Sequence, residues 1–281
     1  MSRFFVSPEN IDLNSGSITI TGEDVRHIGC VLRAVPGDVL ELSDGSGMDY
    51  KVVVEQIGKD SISTKITASG SNRTEPPIDL TLFQGIPKAD KMEYIIQKCI
   101  ELGVKRIVPV MTARSVVKFT NAKDAASKTV RWRRISLEAA KQCGRGVIPQ
   151  VEEPVRFEKA LEMSAACSLK LIPYEEESEG SLKELLRSFG GEEGGSKKAT
   201  GKSGELTDKS VILTGCSAAQ AGNGGIGILI GSEGGFEPDE VEKAVRSGFH
   251  SVTLGPRILR TETAGLAVAS IIMYEIGDMG K

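Results

Sequence analysis

The chain has 281 residues, enough for two domains of ordinary size, and its composition of 40% hydrophobic and 26% charged residues is that of a globular protein. It contains no run of eighteen or more apolar residues and no signal-peptide core at its N-terminus, which argues against membrane spanning and secretion. Five scattered cysteines and two histidines argue against a disulfide framework or a structural zinc site. We therefore expect a cytoplasmic protein without a metal, in which most cysteines are buried apolar residues.

Residues 1–73 are predicted to form an all-β domain. The helical pattern of this region is confined to Thr21–Leu32, and the polar segment Ser69–Pro77, which ends in two prolines, is predicted to be a linker. Short strands separated by Gly-bearing turns favour a small β-barrel. The predicted strands are Ser17–Thr21, Asp38–Leu42, Lys51–Gln56 and Ser61–Ile66.

Residues 74–281 alternate between strands and helices, which predicts a mostly parallel sheet covered on both faces. The Gly-, Ser- and Lys-rich stretch Gly190–Lys209 interrupts this pattern and is predicted to be a surface insertion. The predicted strands are Ile78–Gln84, Arg106–Met111, Leu169–Pro173, Val211–Thr214 or Ile226–Ile230, and Ser251–Leu254. The predicted helices are Lys88–Leu102, Ala126–Cys143, Leu182–Phe189, Pro238–Ser247 and Thr263–Ile276.

The net charge of −3 hides a local excess of positive charge. Between Lys123 and Gly146 the chain has seven basic and two acidic residues, a net charge of +5. Local positive surface is what phosphate contacts require, so this window is compatible with nucleic-acid binding. The alternative is an exposed helix face with solvated charges, and charge alone does not separate the two interpretations.

Two Gly-bearing loops near the C-terminus predict a ligand site. Gly231–Gly235 follows one predicted strand, and Leu254–Ala264 follows the next. Charged residues in these loops, among them Glu233, Arg260 and Glu262, are costly to bury without partners. A G-x-G-x-x-G match at Gly222, Gly224 and Gly227 precedes a strand and opens no helix, so it does not predict a dinucleotide site.

The last predicted helix is apolar nearly all round. Such a helix is buried in a core or in an interface, and a dimer interface is a natural interpretation. Either Thr261 or Thr263 is predicted to cap its first turn.

Several blocks of residues resemble the RsmE family of the SPOUT class of methyltransferases, and the resemblance covers nearly the whole chain. The blocks begin with Arg26-His27-Ile28 and Val31-Leu32-Arg33, and continue with Lys91-Met92-Glu93 and Arg114-Ser115-Val116. The segment Glu138–Gln142 and the two C-terminal loops, which are the most specific match, complete the set. Ser232 departs from the family, which usually has proline there, although the wider class often has serine.

The resemblance implies a PUA-like RNA-binding β-barrel at 1–73 and an α/β SPOUT domain with a mostly parallel sheet and a trefoil knot at 74–281. It implies an S-adenosylmethionine-dependent enzyme that methylates N3 of a uridine in 16S ribosomal RNA and forms a homodimer. It also implies a cofactor site at three loops, one of them following Leu169–Pro173. The residues expected to bind the cofactor are Pro173, Tyr174, Ile230, Gly231, Ser232, Gly234, Gly235, Leu254, Gly255, Ile258, Leu259, Thr263 and Ala264.

For catalysis, the uridine N3 must lose a proton, so a base or a cation that stabilises the anionic uracil is useful. Glu233 and Glu262 are candidates for base or orienting group, and Arg260 for the stabilising cation. The alternative is that Arg260 only pairs with one of these carboxylates to hold the loops. The residues expected to contact RNA are Arg26, His27, Arg33, Lys88, Lys91, Arg114, Arg131, Arg134 and Arg145.

Two other functions remain open at this point. One is a non-catalytic RNA-binding or ribosome-assembly module that keeps the same fold. The other, a metabolic enzyme with a nucleotide-like cofactor, is disfavoured by the β-domain and the basic window.

Overall fold

The computed structural model of the chain describes residues 3–117, 119, 121–190 and 224–280. Within these ranges none of the helices has the length and apolar character needed to cross a membrane. The predicted strand Val211–Thr214, residues 191–209 of the predicted insertion and Cys216 lie outside the described residues.

The strands and helices are numbered in chain order. The strands are β1 (Arg3–Phe5), β2 (Ile11–Asp12), β3 (Ser17–Thr21), β4 (Val39–Ser43), β5 (Met48–Ile57), β6 (Ser61–Ser71), β7 (Leu80–Gly85), β8 (Arg106–Met111), β9 (Gln150–Val151), β10 (Val155–Arg156), β11 (Leu169–Pro173), β12 (Ile226–Ile230) and β13 (His250–Val252). The α-helices are α1 (Glu23–Arg26), α2 (Lys91–Glu101), α3 (Ala122–Cys143), α4 (Phe157–Met163), α5 (Leu182–Gly190), α6 (Pro238–Arg246) and α7 (Thr261–Glu275).

The described chain divides into two compact units that are not consecutive segments. The first contains residues Met1–Pro77, Met92–Ile107 and Phe119–Glu153, and the second contains the remainder. The predicted domain boundary between residues 73 and 74 therefore differs from this division into compact units. Most of α2 and all of α3 group with the N-terminal strands.

In the first unit, six strands form a sheet in the order β1-β4-β5-β6-β3-β2. All neighbours are antiparallel except β1 and β4, which are parallel. Alternating apolar residues of these strands, such as Ile18, Leu42, Val52 and Ile62, are fully buried together with Ile28 of the helical segment. One apolar core inside the sheet is what the alternating pattern predicts.

The predicted helix Thr21–Leu32 is shorter and less regular than its pattern indicated. After α1 the chain continues as one π-helical turn over His27–Val31. Arg33 then has a φ of 54°, in the left-handed region that residues other than glycine rarely adopt. Arg26, His27 and Arg33, which lie in or beside this irregular turn, are exposed.

The segment Ser69–Pro77 is not a free linker. Its first three residues, Ser69–Ser71, extend β6 and pair with β5. Beyond them, Asn72 donates a hydrogen bond to Asp49 at 2.8 Å, and Thr74 donates one to the carbonyl of Gly144 at 2.6 Å. These bonds hold the segment within the first unit, so the prediction of a linker is wrong.

In the second unit, the sheet has the strand order β10-β8-β7-β12-β11-β13. The pairs β8–β10, β7–β12, β11–β12 and β11–β13 are parallel, as the alternation of strands and helices predicted. All five residues of β12 are buried, since this strand has a neighbour on each side and covered faces. The helix α7 packs on β7 and β12 through residues that include Gly265, Val268 and Ile272.

Two local predictions fail. The N-cap of α7 is Arg260, and no side chain caps this helix, so neither Thr261 nor Thr263 has the predicted role. The cysteines are also less buried than predicted, because Cys99 is buried but Cys30 is exposed and Cys143 and Cys167 are intermediate.

Candidate active site

A cleft in the second unit consists of two adjoining cavities at the carboxyl ends of β11 and β12. Their volumes are about 420 Å³ and about 460 Å³, within the range of small-molecule sites. The first is lined by the loop after β12 and the start of α7, and the second by the loops after β11 and β13. Both are lined by Pro173, Glu175, Ile258, Leu259 and Ala264.

The loop after β12 is shaped by close backbone contacts. A Cβ atom added at Gly85, the last residue of β7, would lie 2.5 Å from the backbone nitrogen of Ser232. Gly235 has a φ of 68° and donates its N–H to the carbonyl of Ser232 at 3.0 Å, which closes a tight turn. Only glycine fits both positions without displacing the backbone, so the glycines of this segment position its N–H and C=O groups.

The same loop is anchored at its far end by charged residues. Arg114 donates hydrogen bonds to the carboxylate of Glu237 at 2.8 Å and to the carbonyl of Gly234 at 3.0 Å. Glu237 and Glu240 form a capping box that starts α6, in which the side chain of each accepts from the backbone of the other. Arg114, predicted to contact RNA, therefore also holds the glycine loop.

A buried hydrogen-bond network joins β7, the glycine loop and α7. The hydroxyl of Thr261 donates to the carbonyl of Gly231 at 2.6 Å and accepts from the side-chain amide of Gln84 at 2.9 Å. The amide nitrogen of Gln84 also donates to the carbonyl of Gly85 at 3.0 Å. Gln84 is fully buried and Thr261 is 6% exposed, so this network excludes water and fixes the residue that precedes Thr261, Arg260.

The two carboxylates proposed for catalysis are joined by a lysine. The ammonium group of Lys91 lies 3.0 Å from Glu233 and 3.3 Å from Glu262. Glu233 also accepts the backbone N–H of Lys88 at 3.1 Å. Lys91 was predicted to contact RNA, whereas the structure places it on the wall of the first cavity.

Arg260 lines the same cavity and is exposed. Its backbone carbonyl accepts the N–H groups of Thr263 and Ala264, both at 2.8 Å. In the described parts of the chain its guanidinium group has no hydrogen bond or ion pair. The alternative in which Arg260 only pairs with Glu233 or Glu262 is contradicted, because Lys91 is the partner of both carboxylates.

Of the thirteen residues predicted to bind the cofactor, twelve line one or both cavities. The exception is Thr263, which is exposed on the first turn of α7 and lines neither. Other lining residues are absent from that set, among them Phe236 and Thr261. Glu175 belongs to the loop after β11 that was expected to reach the cofactor, and it lines both cavities at the carboxyl end of a parallel strand.

The residues predicted to contact RNA differ widely in exposure. Arg131 and Arg134 are exposed on α3, where they pair with Glu93 at 2.7 Å and Glu23 at 3.6 Å. Lys88 is exposed, and only its backbone N–H contacts Glu233.

Arg145 contradicts the prediction that it contacts RNA, because it is 3% exposed. Its guanidinium group donates to Glu75 at 2.7 Å and to the carbonyls of Val104 at 2.9 Å and Ile100 at 3.3 Å. All three guanidinium nitrogens donate to these acceptors, and the side chain is buried away from any phosphate group in solvent.

Comparison with known proteins assigns the class. Residues 74–273 match the RNA methyltransferase domain family, and residues 20–67 match the RNA methyltransferase PUA domain family. The fold is therefore that of an RNA methyltransferase.

Relatives with nearly full coverage narrow the class to a family. A ribosomal RNA small subunit methyltransferase E of Bacillus subtilis is 32% identical over 98% of this chain and 97% of its own length. The crystal structure of the corresponding enzyme from Neisseria gonorrhoeae, bound to S-adenosyl methionine, is 30% identical, covers 99% of each chain and has a TM-score of 0.75. A Legionella pneumophila putative methyltransferase in complex with the same cofactor is 28% identical, with a TM-score of 0.76 over 99% of this chain and 98% of its own.

The chain belongs to the ribosomal RNA small subunit methyltransferase E family. The fold class, the S-adenosylmethionine-dependent enzyme class and ribosomal RNA as substrate, all predicted from the sequence, are thereby confirmed. The non-catalytic assembly module is not favoured.

Proposed function

We propose that the cleft holds S-adenosylmethionine and that the enzyme transfers its methyl group to N3 of one uridine in 16S ribosomal RNA. The observation that carries this proposal is the placement of Arg260, an arginine without a partner in the described residues, on the wall of a cleft built by the Gly231–Gly235 and Leu254–Leu259 loops. The same cleft therefore offers a cofactor pocket and a free cation.

The residues of the cleft fit this cofactor. The backbone of the glycine loop lines the first cavity, where an adenine could approach it closely, and Ile230, Ile258 and Leu259 supply apolar walls. Ile258 is 86% exposed, so a bound ligand would cover a large apolar side chain that is otherwise in water. Glu175, next to both cavities, provides a carboxylate near a cofactor that carries positive charge.

When bound, the cofactor supplies a methyl group attached to a positively charged sulfur, and this sulfur is the leaving group of the transfer. The protein must then align the uridine with that methyl group, which is mainly a task of positioning. The N3 proton must leave before or during transfer, and negative charge spreads over the uracil ring. The guanidinium of Arg260 would stabilise that charge through hydrogen bonds directed at a uracil oxygen. Glu233 and Glu262 would act as base or as orienting groups.

RNA would be held by exposed basic side chains. Because phosphate contacts release counterions, binding through these residues should weaken as salt concentration rises. The residues proposed for these contacts are Arg26, His27, Arg33, Lys88, Arg114, Arg131 and Arg134.

A homodimer through α7 and a cytoplasmic location complete the proposal. Tyr274 and Ile271 of α7 are 69% and 38% exposed, which leaves apolar surface on a helix whose opposite face is buried. A second copy of the chain would cover that surface.

The test is a methyl-transfer assay with labelled S-adenosylmethionine and small ribosomal subunits that lack the modification. We expect label in N3-methyluridine after digestion to nucleosides. Label in another nucleoside would overturn the assignment of the atom. Binding of cofactor and subunits without transfer would overturn the assignment of the reaction.

A further inference from the structure

We propose that Lys91 is a positioning residue, whose ammonium group bridges Glu233 and Glu262 so that both carboxylates orient the loops around Arg260, while the uridine N3 proton is lost to solvent water and not to either carboxylate. This inference rests on the proposed function. It replaces the predicted contact of Lys91 with RNA, and it decides between the two roles left open for the carboxylates.

The geometry places Lys91 between two separate elements. Glu233 belongs to the loop after β12, and Glu262 belongs to the first turn of α7. A single ammonium group within 3.3 Å of both carboxylates therefore joins two walls of the site. The side chains of Lys91, Glu233 and Glu262 are 33%, 28% and 19% exposed, so this is a partly sheltered cluster and not a surface ion pair.

The bonds made by Glu233 oppose a role as base. Burial alone would raise its pKa, but the N–H groups of Glu233 and Lys88 and the ammonium of Lys91 together hold its pKa below the usual value. The hydrogen bond from Lys91 to Glu233 in turn raises the pKa of the Lys91 ammonium group. A carboxylate that is stabilised in its ionised form accepts a proton poorly, whereas a catalytic base has a pKa nearer the working pH.

The loop before Lys91 is held in an unusual conformation. Ala89 has a φ of 54°, in the left-handed region that favours glycine. Non-glycine residues keep such a conformation when the surroundings impose it, which happens most often at functional sites. Here the surroundings include the bond from the N–H of Lys88 to Glu233 and the ion pairs of Lys91 on either side of Ala89.

The charges explain what the bridge achieves for Arg260. With Lys91 present, two carboxylates and one ammonium have a net charge of −1, and Arg260 is left without a partner in the described residues. Without Lys91, the pair of carboxylates would attract the guanidinium group away from the substrate. The other charged groups around this cluster are Lys88, Asp90, Arg114, Glu175 and Glu237.

The experiment compares Lys91→Met with Lys91→Arg and with Lys98→Met as a matched control. Lys98 lies on the same helix and, among the residues that the structure describes, pairs with Glu101 and lines neither cavity, so its loss removes the same charge outside the cleft. For Lys91→Met we expect kcat to fall by about 100-fold, the loss typical of misplaced reacting groups, with RNA affinity and its salt dependence preserved. Lys91→Arg should recover much of the rate, and Lys98→Met should match the wild type.

Two further readouts separate positioning from general destabilisation. In Lys91→Met, the NMR resonance of the Glu233 carboxyl group should titrate at a higher pH than in the wild type. The fall of kcat at low pH should also begin at a higher pH. In Glu233→Gln and Glu262→Gln, transfer should be slower, but its rate should still rise with pH as the uridine N3 deprotonates.

Opposite results would overturn the inference. If Lys91→Met keeps kcat but reduces the salt dependence of RNA binding by about one phosphate contact, Lys91 contacts RNA. If either glutamine variant loses transfer as completely as Arg260→Ala, that carboxylate is the base. Failure of the proposed function would look different, because the wild type itself would then form no N3-methyluridine.

Discussion

Two clusters of charged residues show how differently the two units of this enzyme use ion pairs. In the first unit, Arg145 and Glu75 form a cluster in which the arginine is 3% exposed and its nitrogens are bound to Glu75 and to backbone carbonyls. In the second unit, Lys91, Glu233 and Glu262 form a partly exposed cluster beside a cleft. Both contain residues that the family resemblance singles out.

The difference lies in what each cluster leaves over. In the Arg145 cluster, the guanidinium nitrogens donate to groups of the same unit. These bonds, together with the bond from Thr74 to Gly144, hold the segment before β7 against the end of α3. The Lys91 cluster pairs one ammonium group with two carboxylates, and within the described residues it leaves the guanidinium group of Arg260 without a partner at the cleft. A charged residue in a family motif is therefore a functional candidate only when the structure leaves some of its bonding capacity for a ligand.

The largest effect is expected at the free cation. Arg260→Ala should lower kcat by about 1,000-fold, because it removes a preorganised donor from the developing negative charge. The fold should be retained, since the side chain has no partner in the described chain. Single-turnover transfer and a melting curve measure the two effects, and Arg246→Ala on α6 serves as the control. Turnover at the wild-type rate would remove Arg260 from the mechanism.

The next effect is expected at the buried cluster and has the opposite character. Arg145→Met should lower the free energy of unfolding by about 3 kcal/mol, because Glu75 would remain half-buried without its main partner. Denaturant unfolding followed by fluorescence of Trp132 measures this loss. A variant that is fully stable but binds RNA more weakly would return Arg145 to the RNA surface.

A smaller effect tests the neutral network that supports the cleft. Thr261→Val should weaken cofactor binding by about 1 kcal/mol, which is about fivefold in affinity. The reason is that the amide of Gln84 and the carbonyl of Gly231 each lose a hydrogen bond. Calorimetric titration with S-adenosylmethionine measures the affinity. Thr263→Val gives the comparison, and an equal loss there would support the sequence-based assignment of Thr263 to the cofactor site.

The smallest effect concerns pH. Burial would raise the pKa of Glu75, but Arg145 and the N–H groups of Gly146 and Val147 outweigh it and lower the pKa. A carboxyl group whose pKa is lowered by folding stabilises the folded state at pH values above its pKa in the unfolded state. This stabilisation is lost as the pH falls through its pKa in the folded state. The melting temperature should therefore fall as the pH is lowered below about 4.5, and the Glu75→Gln variant should show a smaller fall. Identical pH curves for the two proteins would show that this pair does not control acid stability.

The parallel sheet was predictable because its strands are strongly apolar and bounded by turns. β8, β11 and β12 have the predicted bounds, since apolar runs between turn residues leave little choice of where a strand begins and ends. The pattern failed where tertiary bonds decide the structure. Nothing local in Ser69–Pro77 indicates that Glu75 meets Arg145, seventy residues away.

The candidate site was predictable to the extent that its backbone determines it. The glycine loop and the Leu254–Leu259 segment line the cavities because their strands end at one edge of the sheet. The role of each charged side chain was not predictable. Lys91 and Arg145 are both basic residues in family motifs, and only their partners in space distinguish a bridge at the cleft from a buried structural pair.

The position of β12 also sets an order of events during synthesis of the protein. β12 lies between β7 and β11, although it follows both in the chain. Until residue 230 has left the ribosome, β7 and β11 lack the strand that joins them, and the cleft has no glycine loop. The strands β1–β6, whose sheet pairings all lie within the first 71 residues, can pair much earlier. We therefore expect the nascent chain to acquire its N-terminal sheet long before it can bind the cofactor.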